Sequence, residues 1–120
     1  MAHKNQSSSP IVDATTMEWG EHPRVDGILM KQLLTASDNP LASVALVQVP
    51  PGSVVGLHSH TDQVETVYVL KGQSVLTLAG TEMPFNAGQI VALPVGVEHE
   101  LRNAGPEPVE LITFFTPPIS

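Results

Sequence analysis

The sequence predicts an all-β fold, a jelly-roll sandwich or barrel of short strands. Three observations predict it. Short apolar and β-branched runs are separated by turns rich in Gly, Pro and Asn. No stretch has the apolar spacing of an amphipathic helix, and no linker interrupts the pattern. Each half carries a glycine, a short strand and then histidine, a weak two-fold echo expected of two Greek keys wound together.

Taken in order, residues 1–10 are polar, include His3 and are expected to form a flexible tail. Residues 11–120 are expected to form one domain, because 120 residues supply one core and not two. Residues 11–19 are expected to be a short edge strand. Trp19-Gly20-Glu21-His22-Pro23 reads as a turn that places His22 at the surface. Residues 27–35 suit a helix or a strand, and their brevity and β company favour a strand. From Leu41 the pattern is regular. Strands are expected at 43–49, 54–60, 65–70, 74–78, 82–85, 89–93, 98–103 and 109–115. Val54, Val67, Val69, Ile90 or Val91, Leu101, and Phe114 or Phe115 are the expected core or pocket wall. Met17 and Trp19 are expected to cover the barrel or a subunit interface.

Composition narrows the function. The net charge is −7, and the five basic residues (Lys4, Arg24, Lys31, Lys71 and Arg102) are scattered, so no stripe forms to neutralise nucleic-acid phosphates. Charged residues make up 14%, below the ~25% usual for soluble domains, which leaves much surface neutral and favours self-association. A symmetric homodimer is expected, with residues 11–35 supplying much of its interface, and removal of residues 1–35 is expected to yield monomer or aggregate. The absence of cysteine excludes disulfides and thiolate metal sites. No apolar run reaches the ~18 residues of a membrane helix, and the polar N-terminus lacks a signal-peptide core. A cytoplasmic protein without membrane contact is expected.

Two stretches carry the chemistry. In the first, Gly52 to Gly72, His58 and His60 stand two apart and Glu65 follows. Alternate strand residues share a face, with α-carbons roughly 6.6 Å apart, so two imidazoles can converge on one ion. Glu65 shares a face with Val67 and Val69 and away from Tyr68, which places its carboxylate in an apolar interior. An unpaired ionised carboxylate there is costly, and a cation removes the cost. Gln63 lines the pocket or sits in the turn. In the second stretch, Gly88 to Asn103, Pro94 ends a strand and Gly96 permits a turn. His99 then shares its inward face with Leu101 and Asn103, with Glu100 and Arg102 outward. Asn103 reads as a structural or supporting amide. The alternative to a metal site is a barrel whose histidines hydrogen-bond to one another and to Glu65.

These stretches resemble the two motifs of the cupin superfamily. The first motif falls on Gly52, His58, His60, Glu65 and Gly72, the second on Gly88, Pro94, Gly96, His99 and Asn103, all at the family spacing. The resemblance implies a single-domain, cupin-type double-stranded β-helix, a jelly-roll barrel holding one divalent metal. It implies that His58, His60, Glu65 and His99 are the ligands.

Nitrogen and oxygen ligands suit Fe, Mn, Ni, Zn or Cu(II) and not soft Cu(I). A doubly charged ion and one carboxylate leave a local charge of about +1, which favours a small anionic or enolisable organic ligand. The apolar walls suggest a small, dry pocket. Few other polar groups lie near, so Glu65 is the candidate base as well as a ligand. Three readings follow: an enzyme, a non-catalytic binding module, and a barrel stapled by its ion. The enzyme would be a dioxygenase of an enol or dione, or a lyase or isomerase of a small oxygenated acid or sugar.

Overall fold

The computed structural model describes residues 9–120, so His3 and most of the expected tail lie outside the described residues. The chain folds as two antiparallel sheets and, among the described residues, no α-helix. In chain order the strands are β1 (Gly20–Glu21), β2 (Leu29–Leu34), β3 (Ser43–Val49), β4 (Val54–His58) and β5 (Val64–Lys71). They continue as β6 (Gln73–Leu78), β7 (Thr81–Asn86), β8 (Ile90–Leu93), β9 (His99–Asn103) and β10 (Val109–Thr116). The larger sheet has the order β1-β2-β3-β10-β5-β8 and the smaller β4-β9-β6-β7. This jelly roll is the fold class that the sequence predicts. No helix among the described residues is long and apolar enough to cross a membrane.

The two sheets share one core. Val47, Val67, Val69 and Leu111 from the larger sheet meet Leu76, Phe85 and Leu101 from the smaller. Alternation is clearest in β10, where Val109, Leu111, Thr113 and Phe115 are buried and the residues between them are not. At the two undecided positions, Phe115 faces inward rather than Phe114, and Val91 packs on the core while Ile90 is 64% exposed.

Two expectations fail on the N-terminal side. Residues 11–19 form no strand: Asp13 accepts hydrogen bonds from the Thr15 amide and hydroxyl and caps a 3-10 turn, Ala14–Thr16. Gly20 and Glu21, read as part of a turn, pair instead with Met30 and Leu29. Trp19 is half-buried, with the Lys31 ammonium 4.8 Å from its ring centre.

A third failure bears on the site. Val54 is 41% exposed, and Val55 packs on the core in its place. Strict alternation would put Val54 on the face of His58. The β4–β9 register shifts between Val55 and His58, and this irregularity moves the inward parity from odd to even residues. The strand then ends at His58, so His60 lies beyond it.

Candidate metal centre

The four predicted ligands come together from both sheets. His58 and His99 are register partners on β4 and β9, with ring centres 4.3 Å apart. His60 follows the strand end, and its carbonyl accepts the Gly96 amide at 2.8 Å, which joins the two motif loops. Glu65 comes from β5 across the interior. One ligand atom from each residue lies within 4.8 Å of the other three, a cluster that could hold a metal ion.

The orientation of the rings suits that role. His58 Nδ1 donates to the Gly56 carbonyl at 2.7 Å, and His99 Nδ1 donates to the Val97 carbonyl at 3.1 Å. Each bond fixes the tautomer that leaves Nε2 with a free lone pair. Glu65 Oε1 lies 3.3 Å from His60 Nε2 and 3.4 Å from His99 Nε2. Neither contact has hydrogen-bond geometry, so both buried nitrogens lack a hydrogen-bond partner. A buried unpaired nitrogen is costly, and an ion between the rings and the carboxylate would satisfy both at once. The donor set therefore fits a divalent transition metal.

Burial raises the Glu65 carboxyl, but the His60 and His99 imidazoles and the Thr113 hydroxyl outweigh it and hold it at about 2. The Thr113 hydroxyl donates to Glu65 Oε2 at 2.6 Å. Burial pushes His58 below its ordinary value. For His99 burial acts downward, but the Glu65 carboxylate and the Val97 carbonyl prevail and raise it.

The cluster lines a cavity of about 610 Å³, not the small pocket expected. Its wall includes small residues, among them Ser43, Ala45, Gly56 and Ser59. A cavity of this size is within the ~300–1,000 Å³ typical of small-molecule sites. Gln63 sits in the turn before β5, and its amide donates to the Pro118 carbonyl. Asn103 is structural: its amide donates to the Val49 and Glu107 carbonyls and its oxygen accepts the Gly105 amide.

Sequence reasoning missed two residues. Thr113 carried a signal, since it is the polar residue at inward parity between Leu111 and Phe115. His22, expected at the surface, is half-buried and lines the cavity beside Arg24. The segment between β1 and β2 folds over the site, closed by the His22 amide donating to the Ile28 carbonyl at 2.7 Å.

The chain belongs to the cupin family: the family profile described as "Cupin domain" matches residues 45–115. It is 34% identical over 77 residues to the "Oxalate-binding protein" of Thermotoga maritima, covering 64% of this chain and 64% of that one. The crystal structure of a "predicted oxalate decarboxylase" from Thermotoga maritima superposes with a TM-score of 0.80 at 27% identity, over 88% of this chain and 97% of that one. A sugar phosphate isomerase of the cupin superfamily from Silicibacter pomeroyi superposes with a TM-score of 0.75 at 24% identity, over 89% and 75%. That likeness is one of fold. Cupins similar to this chain thus include enzymes.

Proposed function

We propose that this protein is a metal-dependent cupin enzyme that takes a small carboxylic acid at the His58, His60, Glu65 and His99 cluster. The observation that carries the reading is the pair of buried, unpartnered Nε2 atoms beside a charged carboxylate in a large cavity. The resident ion would be one of Fe, Mn, Ni, Zn or Cu. When bound, it supplies Lewis acidity and open positions for an oxygen ligand. The 34% identical oxalate-binding relative supports a small anionic ligand.

The chain's own residues divide the remaining work. His58 and His99 present Nε2 because the Gly56 and Val97 carbonyls hold their other nitrogen. Thr113 fixes the Glu65 carboxylate. A carboxyl held at about 2 is a poor proton acceptor at neutral pH, so Glu65 serves as ligand and not as base. Val, Leu and Phe side chains exclude water from the bound acid. The reaction is cleavage with oxygen, or a lyase or isomerase step on that acid. A non-catalytic anion-binding protein is the second reading, favoured by the name of the same relative. We further propose a cytoplasmic homodimer of one-domain chains.

The test is calorimetry of the metal-loaded protein with acetate and oxalate, alongside oxygen uptake and product analysis by NMR. Binding with turnover supports the enzyme, and binding without turnover supports the second reading. No carboxylate binding contradicts both.

A further inference from the structure

The segment over the cavity carries a second polar point that neither motif contains. His22 and Arg24 both line the cavity, and both lie before the matched family region, 45–115. The backbone amide of Arg24 donates to His22 Nδ1 at 3.1 Å. An amide can only donate, so Nδ1 carries no proton and the neutral ring holds it on Nε2. His22 is thus fixed as a hydrogen-bond donor at Nε2. Burial and the nearby Arg24 both push the ring below its ordinary value, which keeps it neutral. The same ring is within electrostatic range of Glu65 and His58, so this segment reaches back to the cluster.

Arg24 differs from the other basic residues. Lys31 donates to the Ala14 carbonyl and covers Trp19. Lys71 pairs with Glu110, and Arg102 pairs with Glu82. Among the described residues, Arg24 is the one lysine or arginine whose side chain has no ion pair, hydrogen bond or ring contact. Arg24 is exposed, so its guanidinium stands at the open edge of the cavity, where an entering anion can meet it. Met30, Val47, Val55 and Leu76 supply apolar wall in the same cavity.

We propose that His22 and Arg24 form a second recognition point that selects a short dicarboxylic acid. One carboxylate binds at the metal cluster, and the other accepts the His22 Nε2–H and the Arg24 guanidinium. The charges match. The loaded cluster carries about +1 and Arg24 another, which together balance a dianion. The apolar wall suits a methylene spacer, and the cavity is larger than a two-carbon diacid needs. The proposal deepens the functional reading above and rests on it.

The experiment is titration calorimetry of the chain loaded with zinc, which is redox-inert and supports no cleavage with oxygen, with NMR confirming that each acid is intact after the titration. Acetate, malonate and succinate are compared on the native chain, Arg24→Gln, Arg24→Lys, His22→Asn and, as a remote charge control, Lys71→Gln. Asparagine at 22 can still accept the amide two residues on, as in an Asx turn, while removing the Nε2 donor. The native chain and Lys71→Gln should bind a diacid at least ten-fold more tightly than acetate. Arg24→Gln and His22→Asn should each lose most of that preference, with acetate and zinc affinity within two-fold of native. Arg24→Lys should keep part of it. Equal diacid preference in native, Arg24→Gln and His22→Asn overturns the second recognition point and leaves the carboxylate site standing. The same holds if the native chain binds acetate as tightly as the diacids. A native chain that binds none of the three acids removes the carboxylate reading and this one with it.

Discussion

At the residue scale the site depends on Glu65. Its folded carboxyl is held at about 2, below the ordinary 4.5, so between those values the unfolded chain binds a proton that the folded one does not. The stabilisation is complete above pH 4.5 and is lost as pH falls towards 2. Urea unfolding of chelated protein should show a steep loss of stability over that window, and Glu65→Gln should flatten it. The histidines act in a higher window and oppose each other. His58, pushed down, contributes stability that is lost as pH falls below 6.5, and His99, raised, contributes stability that is lost as pH rises above it. Thr113→Val keeps the side-chain shape and removes the bond to Oε2. It should weaken metal binding about 10–100-fold with little change in secondary structure, measured by competition with a chromogenic chelator and by circular dichroism. The clustering of His58, His60, Glu65 and His99 was legible because their residue types stand at motif spacing. The place of His22 was not, because the pairing of β1 with β2 and the His22 bond to Ile28 decide it, and local pattern carries neither.

At the element scale, the strands from β3 onward were legible because alternation and turn residues agree there. Residues 11–21 were not, because Asp13 caps a turn within a run that otherwise reads as extended. The register shift in β4 was equally invisible, since a bulge changes which residues face inward without changing composition. Gly72 shows what a turn position demands. Its φ is +98°, and a Cβ there would meet the Pro108 carbonyl oxygen at 2.8 Å and the Val109 Cα at 2.9 Å. Both neighbours are backbone and cannot rotate away. Gly72→Ala should therefore destabilise the protein by at least about 1 kcal/mol, read as a melting temperature lower by several degrees.

At the scale of the whole molecule, the β1–β2 region belongs to the fold as well as to any interface. Ile28 is fully buried in the core and β2 pairs with β3, so deleting residues 1–35 would unfold the sheet rather than separate subunits. The exposed side chains Ile11 (75%) and Leu41 (76%) offer a cleaner probe of the proposed dimer. The native chain should sediment as a dimer and Ile11→Glu or Leu41→Glu as a monomer, whereas a native monomer would contradict the assembly. The central claim, however, is the metal. The direct measurement is elemental mass spectrometry on untagged protein purified without chelator, native and with His58→Ala, His99→Ala, His3→Ala or His22→Ala. The account predicts close to one equivalent of a transition metal in the native chain, His3→Ala and His22→Ala, and little in His58→Ala and His99→Ala. Equal metal in all five proteins would contradict the ligand set. No metal in the native chain, and none taken up when it is added, would contradict the metal-dependent function itself.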